Sequence, residues 1–148
     1  MSDGTVLLVE DDPDDAHLLI RAFRKAGIMN PMRHLQDGDE AVAYLSAIAP
    51  YDDRQKHPFP IVTLLDLKLP RRSGFEVLEW IRGEPLLKRL PVIVLTSSAH
   101  GSDVSRAYDL GANSYLVKPV AAAALDQMVE TVHAYWIRLN RPADMASG

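Results

Sequence analysis

The chain has 148 residues and a mass of 16.4 kDa, enough for one domain with its own core and too little for a second module of similar size. With 47% hydrophobic and 24% charged residues, 10 Pro and 8 Gly, it is excluded from the collagen-like, low-complexity and wholly disordered classes. A formal charge of −4 argues against a general nucleic-acid binder, which would normally be basic, though it leaves room for local basic patches, and with no cysteine there is no disulfide, thiol or cysteine-zinc chemistry.

The first residues, MSDGTVLLVEDD, have no basic leader and only a short apolar run, so neither a signal peptide nor a membrane span is expected, and the location expected is cytoplasmic. Thr5 to Val9 (TVLLV) is apolar and β-branched and stops at Glu10, Asp11 and Asp12, as a buried parallel strand would. Asp12 then suits an N-cap, Pro13 the first helical position, and Asp14 and Asp15 the positive end of the helix dipole. Ala16, Leu19, Ile20, Phe23 and Ala26 recur at helical spacing before a stop at Gly27.

A weaker strand follows at Met32 to Leu35, then an Asp37-Gly38 turn and a short helix with Ala41, Val42, Leu45 and Ile48 as its apolar set and Tyr44 to one side. Residues 49–60 (APYDDRQKHPFP) read as an exposed loop. The third apolar run, 61–65, ends at Asp66, and Ser73-Gly74 opens a helix carrying Phe75, Val77, Leu78 and Ile81. The fourth, 91–95, ends at Thr96 and Ser97 before a helix through Val104, Ala107, Tyr108 and Leu110 that stops at Gly111. The fifth, Ser114 to Val117, ends at Lys118-Pro119, and a last helix is expected over 121–139. Five strands alternating with five helices predict an α/β fold with a doubly wound parallel sheet, because parallel neighbours need crossover connections.

Four of the five strands hand over to a reactive polar group at the carboxyl end: Glu10 and Asp11, Asp66, Thr96, and Lys118. Open parallel sheets bind ligands at those ends, where strand order reverses. In the order 2-1-3-4-5, strands one and three would be neighbours and Asp11 would meet Asp66. Gathered carboxylates need a cation, and Mg²⁺ suits a site offering few carboxylates plus phosphate oxygens. Asp66, alone on its strand end, is the candidate nucleophile toward a phosphoryl group, with Thr96 and Lys118 as partners for the phosphoryl oxygens and the small Ser97 leaving the approach open.

The segments VLLVEDD (6–12), LLDLKLPRRSG (64–74), VIVLTS (92–97) and GANSYLVKP (111–119), in this order, resemble the receiver domain of two-component response regulators. The resemblance implies a flavodoxin-like receiver fold of strand order 2-1-3-4-5 spanning 5–140, with a short tail at 141–148 and no output domain. It implies that Asp66 accepts a phosphoryl group from a histidine kinase. Glu10 and Asp11 would form the metal-binding acidic pair, Asp11 the more direct Mg²⁺ ligand, and Lys68 would offer its backbone carbonyl to the metal. Thr96 and Lys118 would bind the phosphoryl group, Thr96 and Tyr115 would form the switch, and Lys118-Pro119 would be cis. Such a chain is a phosphoacceptor that catalyses only its own phosphorylation and dephosphorylation. The long loop 49–60 and the extended last helix, with Leu125, Met128, Val129, Val132, Trp136 and Leu139 on one stripe, are similar to single-domain regulators paired with phytochrome-type kinases, which implies a homodimer.

Two other functions compete. A Mg²⁺-dependent aspartyl-phosphate phosphohydrolase would carry an acid/base Asp two residues after the nucleophile, where this chain has Lys68. A nucleic-acid-binding regulator would need more than the nine residues after Leu139. Elsewhere the ordinary reading is structural. The Asp37, Asp39, Glu40 group and the pair Asp52, Asp53 read as solvated turns, Arg71 and Arg72 as solvated loop arginines able to meet a kinase, and His17, His34, His57, His100 and His133 show no metal-ligand spacing.

Overall fold

The computed structural model describes residues 4–143. The tail expected at 141–148 thus lies outside the described residues from position 144 on. Strands β1 (Thr5–Val9), β2 (Met32–Leu35), β3 (Pro60–Leu65), β4 (Val92–Thr96) and β5 (Ser114–Val117) alternate with helices α1 (Pro13–Lys25), α2 (Gly38–Leu45), α3 (Gly74–Gly83), α4 (Gly101–Asp109) and α5 (Ala122–Val132). The sheet is wholly parallel in the order β2-β1-β3-β4-β5, as the resemblance implied.

Strand side chains alternate between faces, and both faces are covered. Val6, Leu8, Val62, Leu64, Ile93 and Leu95 pack against Ala16, Leu19 and Phe23 of α1 and Val129 and Val132 of α5. Leu7, Val9, Leu65, Val92 and Val94 pack against Ala41, Tyr44 and Leu45 of α2, Val77, Leu78 and Ile81 of α3, and Ala107 of α4. A buried residue of this kind contributes roughly 1.5–3 kcal/mol each, so the central strands hold the sheet and fix where their carboxyl ends lie.

The helix starts follow their local chemistry. Asp12 caps α1 by accepting from the backbone N–H groups of Asp14 and Asp15. Ser73 and Glu76 form a reciprocal capping box at α3. Gly27, at φ 79°, ends α1 in the left-handed conformation expected of a stop.

Several expectations are corrected. Helix α2 ends at Leu45, so Ile48 lies beyond it and is 56% exposed, whereas Tyr44 is buried in the core. The Tyr44 hydroxyl donates to the Pro58 carbonyl at 2.7 Å, and Arg54 stacks over its ring, which folds the 49–60 loop back onto α2. The last helix runs from Ala122, but from His133 to Leu139 it widens to π-helical geometry, with the Asn140 N–H reaching the Tyr135 carbonyl. Its apolar stripe serves the chain's own core through Val129 and Val132, with Leu125, Met128 and Trp136 packed against them, and only Leu139 stands out at 71% exposed. The cis peptide bond among the described residues is Ala49–Pro50, not Lys118–Pro119. The two isomers of an X–Pro bond differ by only about 0.5–1 kcal/mol, so the local chain decides between them. No helix among the described residues is long and apolar enough to cross a membrane.

Candidate functional site

At the carboxyl end of the sheet the chain turns from β1 into α1 and from β3 into the 66–73 loop. Because β1 and β3 are neighbours, their terminal acids converge. Glu10, Asp11 and Asp66 each offer a carboxylate oxygen, and these oxygens lie within 4.8 Å of one another. Glu10 and Asp66 are buried at 3% and 7% exposure, and Asp11 is exposed.

The end of β5 delivers the counter-charge. Lys118 Nζ is hydrogen-bonded to Glu10 Oε1, to Asp66 Oδ2 at 3.1 Å and to Asp15 Oδ2 at 3.1 Å. An ammonium has three N–H donors, and each meets a carboxylate. Burial raises the Glu10 pKa from 4.5 to about 7, helped by the charge of Asp66 and opposed by the Lys118 ammonium and the Asp12 N–H. For Lys118, burial pulls the pKa down, but the hydrogen bond it donates to Glu10 and the charge of Asp66 outweigh it, so the ammonium stays charged.

The oxygen-only donor set fits a hard divalent cation. Two buried carboxylates beside a third also need more positive charge than one lysine supplies. The Lys68 peptide borders the group, its N–H 3.4 Å from Asp66 Oδ1.

Thr96 is the last residue of β4, 1% exposed, and its hydroxyl oxygen lies 3.5 Å from the Ser98 N–H it accepts from. The structure therefore places it at the sheet end but gives it a partner in its own loop. Tyr115 is half-buried, and its hydroxyl donates to the Ser98 carbonyl at 2.9 Å. Ser98 in turn donates its hydroxyl to Asp103 Oδ2 at 2.6 Å in the first turn of α4. The loop after β4 is thereby tied to both β5 and α4.

Several contacts were not foreseen from sequence. Asp15, read as a dipole-favouring charge, also binds Lys118 across 103 positions. His34 Nε2 meets the Glu10 carbonyl at 2.7 Å; a carbonyl only accepts, so this nitrogen carries the proton. The acids at the start of α2 are engaged: Asp37 caps the helix and pairs with Arg71 at 3.7 Å, Asp39 pairs with Arg72 at 3.3 Å, and Glu40 accepts from Tyr51. Gly38 packs so closely on the Arg72 carbonyl that an added Cβ would lie 1.9 Å from its oxygen. The 66–73 loop is thus latched to α2, and the arginines expected to be solvated serve that latch.

A two-faced α/β sheet of this strand order, with an acidic triad and a lysine at its switch point, defines a phosphorylation-type signalling domain, and residues 6–130 match the response regulator receiver domain family, to which the chain belongs. Receiver domains of this family act in phosphorelay signalling and bind a divalent metal at an acidic pocket. The chain is 39% identical over 136 residues to the probable methanogenesis regulatory protein FilR2 of Methanothrix harundinacea, covering 92% of this chain and 85% of that one. It is 38% identical over 132 residues to the response regulator Rcp1 of Synechocystis, covering 89% and 88%. The Mn(2+)-bound form of Rcp1 superposes with a TM-score of 0.84 at 35% identity, covering 95% of this chain and 99% of that one. The phosphorylated cyanobacterial phytochrome response regulator RcpA superposes at 0.89 with 33% identity, covering 97% and 100%.

Proposed function

We propose that this chain is a cytoplasmic response regulator that accepts a phosphoryl group on Asp66 from a histidine kinase and signals through protein contacts. The observation that carries the reading is the convergence of Glu10, Asp11 and Asp66 on one point, with the Lys118 ammonium hydrogen-bonded to Asp66. Mg²⁺ is the proposed cation, held by Glu10, Asp11, Asp66 and the Lys68 carbonyl. Once bound it would neutralise charge on the phosphoryl oxygens during transfer.

The chain's own residues do the rest. Asp66 presents an oxygen as nucleophile, Lys118 pairs with a phosphoryl oxygen as a point charge, and Thr96 leaves the Ser98 N–H to donate its hydroxyl to another. Tyr115, bound to the same loop, then senses the change through Ser98. The similarity to RcpA, a cyanobacterial phytochrome response regulator, supports a phytochrome-type kinase as partner.

A homodimer is proposed through the face of α4, β5 and α5. Tyr108 and Val117 are exposed on α4 and β5, and the exposed Tyr135 lines a groove of about 590 Å³ with Leu116, Met128 and Trp136. Sedimentation at micromolar concentration tests it, and a monomer overturns it.

The defining experiment is incubation with acetyl phosphate and Mg²⁺ followed by intact-mass measurement. An added phosphoryl group that is absent in Asp66→Asn supports the receiver. Fast multiple turnover of a phosphomonoester would favour a phosphohydrolase, against which Lys68 stands at the position of the acid/base Asp.

A further inference from the structure

Asp15 lies outside the carboxylate triad, yet its carboxylate holds one of the three donors of Lys118. The three acceptors differ. Glu10 and Asp66 belong to the metal-competent group and have side chains only 4% and 8% exposed. Asp15 stands outside that group, on the first turn of α1, with a side chain 43% exposed. A lysine ammonium and a divalent cation compete for the same carboxylate lone pairs, so every donor that Lys118 places on Glu10 or Asp66 opposes the metal. Asp15 is the acceptor that Lys118 can keep while those two turn to a cation.

We infer that Asp15 is a positioning residue that tethers the Lys118 ammonium from outside the carboxylate triad, keeping it over Asp66 while leaving Glu10 and Asp66 free to bind a divalent cation. The inference rests on the reading of the triad as the metal site. Without the tether all three donors fall on Glu10 and Asp66, and the lysine becomes a stronger competitor. The change acts through Lys118, which separates it from the simple loss of one negative charge near the site.

A double-mutant cycle read by calorimetric titration with MgCl₂ and MnCl₂ tests this. Asp15→Asn keeps the shape of the side chain, and far-ultraviolet circular dichroism checks that the helix is retained. The expected result is a Kd for both ions raised about tenfold by Asp15→Asn, the lower range for an outer partner of a metal site. In a Lys118→Gln background the same substitution is expected to shift Kd by less than about twofold, because an exposed charge acting only through solvent is screened. Equal shifts in both backgrounds, or no shift in the first, overturn the tether. Wild-type protein that binds neither ion would instead overturn the metal reading itself.

Discussion

The Tyr115 hydroxyl donates to the Ser98 carbonyl at 2.9 Å, joining edge strand β5 to the loop that carries the Thr96 partner. Ser98 also donates to Asp103, so one small residue links Thr96, Tyr115 and α4. Ser98→Ala removes the donor to Asp103 and is expected to cost about 1–2 kcal/mol in urea denaturation. Tyr115→Phe leaves Asp66 phosphorylation intact. It is expected to shrink the change in α4 amide chemical shifts that follows addition of acetyl phosphate.

Glu10 makes stability depend on pH. Its proton is bound more tightly in the folded chain, where its pKa is about 7, than at the ordinary value of 4.5. The contribution is therefore complete below pH 4.5 and is lost as pH rises through 7. In EDTA, wild type should lose on the order of 2 kcal/mol more than Glu10→Gln between about pH 5 and pH 8, measured by urea denaturation. Saturating Mg²⁺ should reverse that difference, because the ion binds the ionised carboxylate.

Two glycines of α3 should respond in opposite ways. A Cβ at Gly74 would lie 2.1 Å from the Asp66 carbonyl oxygen and 2.6 Å from Leu67 Cα, so Gly74→Ala must push the backbone that carries Asp66, the proposed phosphoacceptor. It should cost about 1–3 kcal/mol and lower the extent of phosphorylation. A Cβ at Gly83 meets nothing within 4 Å, and Gly83→Ala should stabilise by about 0.5–1 kcal/mol. Chemical denaturation with acetyl-phosphate labelling reads both.

The 49–60 loop should be held by Tyr44. Tyr44→Phe leaves the Pro58 carbonyl without its donor and is expected to cost about 1 kcal/mol. Limited proteolysis should cut faster within 49–60 while α2 stays protected.

The strands were legible because TVLLV and the apolar runs at 60–65 and 92–96 are buried on both faces, so composition alone marks them. The acids and the lysine at their ends were legible for the same reason, since a buried run that stops at a charge marks an edge of the core. Tyr44 was misplaced because α2 ends three residues before Ile48, a stop set by Ser46 and by Ala47 at φ 56° and not by any glycine or proline. Asp15 and Ser98 escaped because the decisive partner of each lies far along the chain, Lys118 for one and Tyr115 for the other. Local rules for caps and turns already accounted for Asp15, and nothing nearby signalled the second use.

The lysine that completes the site is 108 positions from Glu10 and 52 from Asp66, and it arrives on the last strand to be synthesised. A nascent or partly unfolded chain can expose Asp66 but has no cation poised beside it. Under the proposed function, competence to receive a signal is therefore gated by completion of the sheet, because Asp66 gains its cation only when β5 has joined β4.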